Sequence, residues 1–123
     1  MPGPARFEVI CHNDLSPCNF VFRAGIPVAM IDFDTAAPGT RRMDVGYAAW
    51  GWLDLGNADI AAAEQRRRLR LFVTAYGEQL AVDTIKQAIL DRQEVLAAEG
   101  ESAGKDAMAR WARDCRGWTL QNL

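Results

Sequence analysis

CHNDLSPCNF, residues 11–20, is the stretch from which both the fold and the function of this chain can be inferred. It contains the only histidine of the chain, an aspartate, a proline, an asparagine and two of the three cysteines. It overlaps FEVIC, residues 7–11, whose β-forming residues predict a strand that leads into the decapeptide. Its residue types suit a metal site, a reactive-cysteine site, a phosphoryl-transfer loop or a polar turn between strands.

The composition is that of a folded protein with no strong charge. The chain has 123 residues, 50% of them hydrophobic, and a formal net charge of -2. This length and hydrophobic content are enough for one domain with its own core. The small negative charge gives no general attraction to phosphate backbones or anionic lipids, so we expect no nucleic-acid and no membrane partner. No apolar run approaches the roughly 20 residues that span a bilayer, and no signal peptide is recognisable, so we expect a soluble, cytoplasmic protein.

The cysteines and the histidine do not form a disulfide or zinc pattern. Three cysteines without a C-x-x-C spacing fit a reducing compartment better than a disulfide framework. One histidine and no cysteine pair at ligand spacing give little support to zinc. A reactive Cys18 stays open, although a buried or half-buried thiol is the commoner use of such a residue.

The hydrophobic pattern predicts a β-rich first part. Two strand-like runs, NFVFR at 19–23 and PVAMIDF at 27–33, are separated by three residues that include Gly25. A glycine there supplies the permissive backbone of a hairpin turn. The segment DTAAPGTRR, residues 34–42, predicts a loop because it contains adjacent proline and glycine.

Four helices are predicted after this loop. Their bounds follow from residues with capping or stop preferences: Asp44 to Gly56, Asp59 to Gly77, Asp83 to Glu99 before a stop at Gly100, and a last helix from about Ser102. The helical spacing predicts these inward-facing residues: Val45, Ala48, Ala49, Trp52, Leu69, Phe72, Val73, Tyr76, Ile85, Ile89, Leu96, Met108, Trp111, Ala112 and Cys115. The predicted fold class is α+β, predominantly helical, with residues 1–123 as a single domain.

Two motifs in the first part predict phosphoryl transfer. His12, Asp14 and Asn19 have the order H-x-D-x-x-x-x-N of a kinase catalytic loop, and MIDFD brings Asp32 to the end of the second hairpin strand. The reaction needs Mg²⁺, which prefers oxygen ligands, and a carboxylate that orients the acceptor hydroxyl and takes its proton. Asp14 is therefore the candidate base, and Asn19 and Asp32 are candidate magnesium ligands. We expect His12 to pack and form hydrogen bonds inside the loop.

Three segments together resemble the aminoglycoside phosphotransferase family, the kinase-like enzymes that also include choline, homoserine and macrolide kinases. They are CHNDLSPCNFVF, VAMIDFDTAAPG and RRMDVGYAAW. Several details are closer to this family than to protein kinases: Pro17 precedes the asparagine by two residues, IDFD stands where protein kinases have D-F-G, a P-G pair follows, and there is no A-P-E segment. The resemblance is specific over residues 9–52 and only architectural in the helices beyond.

The resemblance implies a protein-kinase-like carboxyl-terminal lobe, with a short β-hairpin around the catalytic loop followed by about four helices. It implies that Asp14 is the catalytic base, that Asn19 and Asp32 bind Mg²⁺, and that ATP is the phosphoryl donor. The acceptor would be a hydroxyl of a small molecule, either an aminoglycoside-like antibiotic or a metabolite, bound among the helices. Asp44 matches the family's aspartate that opens the next helix and braces the catalytic loop. Asp34 is either a further polar group at the site or, as we prefer, the cap of the following turn.

The acceptor cannot be identified from the residues alone. An enzyme that binds polycationic aminoglycosides should line its acceptor pocket with carboxylates. The acidic residues after Asp44 are scattered among arginines and lysines, as on solvated helices, and indicate no such pocket. Trp50, Trp52, Trp111 and Trp118 could stack on an aromatic ligand, but core filling is the commoner use of tryptophan.

Residues 1–123 lack the nucleotide-binding lobe that the family resemblance implies. Only about ten residues precede the motif, and there is no G-x-G-x-x-G and no lysine before Lys86, so we expect no ATP site in this chain alone and no activity without that lobe. Three alternatives follow: a phosphotransferase whose amino-terminal lobe was removed or lies on another chain, a free-standing lobe that retains at most weak binding of magnesium or small molecules, or a protein-interaction module. A lobe without its partner exposes apolar surface, so we predict a homodimer or a partner-bound state.

Overall fold

The computed structural model describes residues 8–77 and 80–123, and Phe7 of the predicted first strand lies outside them. In chain order the elements are β1 (Val9–Cys11), a 3-10 turn (Pro17–Asn19), β2 (Phe20–Arg23), β3 (Ile26–Met30), β4 (Ala37–Gly39), α1 (Arg41–Leu53), α2 (Ala62–Tyr76), α3 (Val82–Ser102) and α4 (Asp106–Asn122). The prediction of an α+β fold, with a β-rich part followed by four helices, is confirmed.

Strands β2 and β3 form the predicted hairpin. They pair antiparallel with Phe20 opposite Met30, and a bulge lies between Val21 and Phe22. The turn passes through Ala24 and Gly25, whose φ angles are 51° and 77°. Two consecutive positive φ values are typical of tight hairpin turns, and this is the reason for a glycine at the second position.

The predicted loop at residues 34–42 contains a strand that the sequence did not indicate. Strand β4 pairs antiparallel with β1, with Cys11 opposite Ala37 and Pro38 opposite Ile10. Proline is tolerated here because β4 is an edge strand of a two-stranded sheet. Gly39 ends the strand where a Cβ atom would come within 2.7 Å of the Cys11 Sγ, so only glycine permits this close pairing.

Helix α1 begins earlier than predicted. Its first residue is Arg41 and its N-cap position is Thr40, so the assignment of Asp44 as the N-cap was wrong. Asp44 lies in the first turn of the helix instead, where an acidic residue is favoured by the helix dipole. The Asp44 side chain is therefore available to contact the residues that follow β1.

The core lies mainly between α1, α3 and α4. Two glycines allow close contact between helices: a Cβ at Gly46 would lie 2.7 Å from the Ala88 backbone, and a Cβ at Gly100 would lie 3.0 Å from the Ala109 nitrogen. Gly100 was predicted to stop α3 and does not, because the helix continues to Ser102. The buried core residues are Ala49, Trp50, Leu55, Leu69, Ile85, Ile89, Ala97, Ala112 and Cys115.

The tryptophans differ from their predicted positions. Trp50 rather than Trp52 is the buried tryptophan of α1, and Trp111, which was predicted to face inward, is 54% exposed. The helical spacing was right for α2 and α3, where Leu69, Ile85 and Ile89 are buried as predicted. In the two described ranges, no helix combines the length and the apolar character that a bilayer crossing requires.

Candidate active site

The backbone of the loop that follows β1 is held by Asp44. Its carboxylate accepts the backbone N–H of His12 at 2.7 Å and that of Asn13 at 2.9 Å. Asn13 has a φ of 70°, a left-handed conformation that asparagine tolerates better than most residues. Two hydrogen bonds to an ionised acceptor offset the cost of this turn, so α1 fixes the path of the loop.

The His12 ring links the loop to the end of the hairpin. Its side chain is buried, and its Nδ1 accepts the backbone N–H of Asp14 at 3.1 Å. An accepting Nδ1 carries no hydrogen, so the network assigns the hydrogen to Nε2, which donates to the Ile31 carbonyl at 2.9 Å. The ring edge also packs on Phe33, with the ring centroids 4.8 Å apart. His12 therefore connects Asp14 with the residues that flank Asp32.

Asp14 accepts hydrogen bonds on both carboxylate oxygens. The Nδ2 group of Asn19 donates to Asp14 Oδ2 and to the Asp14 carbonyl, both at 2.8 Å. The hydroxyl of Tyr47 donates to Asp14 Oδ1 at 2.6 Å. Sequence reasoning missed Tyr47. The available signal was its position three residues after Asp44, which places both side chains on the same face of α1.

The environment of Tyr47 keeps its hydroxyl protonated. Burial raises the pKa of Tyr47 well above its ordinary value, and the hydrogen bond to Asp14 and the negative charge of Asp14 raise it further. The Arg92 guanidinium lies 5.3 Å from the centre of the Tyr47 ring, in a cation–π arrangement, and opposes part of this effect. The phenol is therefore the donor in the bond to Asp14.

Asp32 lies at the open end of the hairpin. The N–H of Ile31 donates to the Asn19 carbonyl at 2.9 Å. Asp32 therefore directly follows a residue that is hydrogen-bonded to Asn19. Asp32 is exposed and has a φ of 60°. Its Oδ1 accepts the N–H of Asp34 in a long bond of 3.4 Å. Asp34 is exposed, and the preference for its side chain as the cap of the following turn stays a prediction.

The oxygen atoms of Asn19 and Asp32 suit magnesium. Both hydrogens of the Asn19 amide are used inside the loop, which leaves its Oδ1 as the group able to face a cation. Mg²⁺ commonly takes one or two protein ligands and completes its shell with phosphate and water. Over residues 8–77 and 80–123, no cluster of three or more histidine, cysteine, aspartate or glutamate side chains could hold a metal ion. Two such oxygen donors fit Mg²⁺ that completes its shell with phosphate and water.

The second half of the loop is held by Trp52. Its indole Nε1 donates to the Leu15 carbonyl at 3.0 Å, and its ring packs against Phe20 with centroids 5.0 Å apart. Cys18, in the 3-10 turn, is exposed, and its Sγ lies 2.9 Å from the Ser16 hydroxyl. The loop is thus attached to α1 at both ends.

A cavity of about 450 Å³ adjoins the end of this loop. The residues around it include Ser16, Pro17, Trp50, Asp54, Trp111 and Asp114. The indole rings of Trp50 and Trp111 are stacked, with centroids 4.8 Å apart and an angle of 17° between the planes. In the part of the chain that the structure describes, no arginine or lysine lines this cavity, so its walls carry two carboxylates and no cation.

The far wall of this cavity is held in place by Gln65. This fully buried side chain accepts the N–H of Gly56 at 2.8 Å and donates to the carbonyls of Asn57 and Ile60 at 2.7 and 3.0 Å. The three bonds replace water for the backbone groups of the connection between α1 and α2. A buried polar residue of α2 therefore fixes the connection that shares this cavity with Ser16 and Pro17.

The comparison of sequences decides the family. A family model described as "Phosphotransferase enzyme family" (APH) matches residues 2–81, and it includes the loop, the hairpin, α1 and α2. The chain belongs to this family. The resemblance to aminoglycoside phosphotransferases that the three segments indicated is thus confirmed.

A curated relative is similar to part of this phosphotransferase-family chain. The chain is 33% identical over 77 residues to the trifolitoxin immunity protein of Rhizobium leguminosarum bv. trifolii. The alignment covers 57% of the chain and 30% of that protein, so the chain spans less than a third of its length. No solved structure matches the chain.

Proposed function

We propose that this chain is the kinase-like carboxyl-terminal lobe of a phosphotransferase that moves the terminal phosphoryl group of ATP to a hydroxyl group of a small molecule. The links from Asn19 to Asp14 and to the residue before Asp32 carry this proposal. Asn19 contacts Asp14 through its side chain and the residue before Asp32 through its backbone. A lobe without catalysis would have no folding requirement for this arrangement of oxygen atoms.

The proposed step uses Asp14 as the base. The acceptor hydroxyl lies against the Asp14 carboxylate, and its oxygen forms a bond to the γ-phosphorus of ATP. The bond between that phosphorus and the bridging oxygen breaks, ADP leaves with the electron pair, and the hydroxyl proton passes to Asp14. Asn19 Oδ1 and the Asp32 carboxylate would hold Mg²⁺, which would supply positive charge against the phosphate oxygens.

The cavity beside Ser16 is the proposed acceptor site. Asp54 and Asp114 give it negative charge, and the half-exposed Trp111 offers an aromatic face. Carboxylates and aromatic faces both attract organic cations. An acceptor that carries both a hydroxyl and an amino group, as aminoglycosides do, fits these walls better than an anionic metabolite.

The proposal requires a nucleotide lobe from outside residues 1–123, supplied by the same polypeptide or by a partner. The exposed apolar side chains of the hairpin and the segment after it are the surface on which we place it: Val21, Phe22, Ile26, Val28, Met30, Ile31 and Phe33. Without that lobe we expect the chain to be inactive.

The same surface favours a second candidate function, a non-catalytic interaction module or homodimer. Sedimentation that shows a monomer at all concentrations would contradict the homodimer.

The base is tested with the protein completed by its amino-terminal lobe. ADP release is measured with kanamycin, erythromycin, choline and homoserine as acceptor probes. We expect Asp14→Asn to reduce transfer by at least about 100-fold while MgATP binding is retained, since a general base contributes about 10²- to 10⁴-fold. Asp83→Asn, at an exposed aspartate of α3 that has no assigned role at the site, is the control and should remain active. An active Asp14→Asn variant would sink the assignment.

A further inference from the structure

We infer that Tyr47 is a positioning residue that fixes the carboxylate of Asp14 for the acceptor hydroxyl. This inference rests on the proposed function, because it assigns a second residue to the same base. The hydroxyl of Tyr47 donates to Asp14 Oδ1 at 2.6 Å, a length typical of an O–H bond to an ionised acceptor. Asn19 occupies the other oxygen at 2.8 Å. The two bonds together set the plane of the carboxylate.

The Tyr47 ring is itself held firmly enough to serve this role. It lies on α1, the same helix whose Asp44 binds the loop backbone. Its edge packs on the buried Trp50, with centroids 6.2 Å apart and an interplanar angle of 76°. Arg92 of α3 covers the ring at 5.3 Å. Two helices therefore fix the phenol, so the direction of its hydrogen bond does not depend on the loop.

The position of Tyr47 limits where an acceptor can approach. An ionised carboxylate offers about four lone-pair sites. One site on Oδ1 is taken by Tyr47 and one on Oδ2 by Asn19. An acceptor hydroxyl must bind to a remaining site, so the two donors select one side of Asp14 for the substrate. Tyr47 acts through Asp14 and does not take the proton itself, because its phenol stays protonated.

The variant Tyr47→Phe tests this role. It keeps the ring contacts with Trp50 and Arg92 and removes only the hydroxyl. In the protein completed by its amino-terminal lobe, we expect kcat to fall about 10- to 100-fold, the size of effect that misplacement of a reacting group produces. The KM for MgATP should stay within about twofold, because Tyr47 is not assigned to the nucleotide. The matched control is Tyr76→Phe, the only other tyrosine, which should leave kcat unchanged.

The outcomes separate the two proposals. A parent enzyme that releases no ADP with any probe overturns the proposed function, and the role of Tyr47 with it. A parent enzyme that is active, together with Tyr47→Phe at the parental kcat, overturns the positioning role alone. The positioning role would also be overturned if Tyr47→Phe lowered kcat, the affinity for MgATP and the melting temperature together, because such a general loss indicates a merely structural tyrosine.

The bond between Tyr47 and Asp14 has a readout independent of activity. In the chain of residues 1–123, which has two tyrosines, Tyr76→Phe leaves phenolate absorbance to report Tyr47 alone. Replacement of Asp14 by asparagine removes a negative charge from beside the phenol, so Tyr47 should ionise at lower pH in Asp14→Asn than in the parent. Coinciding titration curves would show that the two side chains are not in contact, and the inference would fail.

Discussion

The loop at residues 11–19, which we propose to be catalytic, and the hairpin segment at residues 20–33 are adjacent in sequence but are held in different ways. The loop is attached to α1 through Asp44, Tyr47 and Trp52. In the hairpin segment, every residue from 21 to 33 is exposed. The proposed base, Asp14, is thus held on both carboxylate oxygens by this chain, whereas the proposed metal and nucleotide side is supported on one edge only. A phosphotransferase lobe that meets a second lobe would have this asymmetry.

The largest expected effect is a loss of stability when the Asp44 hydrogen bonds that hold the loop are removed. Asp44→Ala removes two hydrogen bonds to an ionised acceptor and leaves two backbone N–H groups without a partner. We expect the free energy of unfolding to fall by about 3 kcal/mol, since bonds to charged groups contribute about 1.5 to 3 kcal/mol each. Urea denaturation of the chain measures this change.

The control for Asp44→Ala is Asp34→Ala, in the exposed segment after the hairpin. A surface substitution of this kind should change the unfolding free energy by no more than about 0.5 kcal/mol. Similar losses in both variants would contradict the contrast between a supported loop and an exposed hairpin segment.

A smaller effect is expected from ligand binding at the exposed side. If this lobe or its dimer assembles the site, MgATP at 100 times its dissociation constant should add about 2.7 kcal/mol to the free energy of unfolding. Asp32→Asn should abolish this gain without loss of stability in the absence of nucleotide, because asparagine tolerates the positive φ of Asp32. Thermal unfolding with and without millimolar MgATP measures both quantities.

No thermal shift in the parent chain would mean that the hairpin side needs its second lobe before it binds nucleotide. A shift that persists in Asp32→Asn would contradict the assignment of this carboxylate to magnesium. The two variants, Asp44→Ala and Asp32→Asn, thus separate the stability of the loop from the binding capacity of the hairpin side.

Local signals explain why much of the fold could be predicted. The hairpin turn at Gly25, the end of α2 at Gly77 and the buried stripe of α3 depend on neighbouring residues in the chain. Strand β4 was missed because Pro38 usually marks a loop, and its pairing with β1 is a long-range contact. Gly100 was wrongly predicted to stop α3, because its close packing against α4 is a tertiary contact that the local sequence does not indicate.

The candidate site was predictable in its loop and not in its surroundings. Asp14 and Asn19 share one motif, so their proximity follows from spacing alone. Tyr47 lies 33 positions from its partner Asp14. The cavity brings together Asp54, which directly follows α1, and Asp114 of α4. Tertiary packing creates these contacts, and the spacing of Asp44 and Tyr47 indicates only a shared face of α1, not the partner that Tyr47 meets.

The smallest expected effect lies on the exposed face of α2, far from both regions in sequence. The bidentate bond to Arg67, and then the bond to Arg68, lower the pKa of Glu64 to about 2 from an ordinary value of 4.5. A carboxyl group with a lowered pKa stabilises the folded state above the unfolded value, and this contribution is lost as the pH falls from 4.5 towards about 2.

The difference in unfolding free energy between the parent chain and Glu64→Gln should therefore be greatest above pH 4.5 and should shrink as the pH falls to about 2. It should also decrease in high salt, because ions screen exposed pairs. Urea denaturation across this range measures it. A difference as large as that of Asp44→Ala would show that exposed ion pairs, and not the buried support of the loop, dominate the electrostatic stability of this chain.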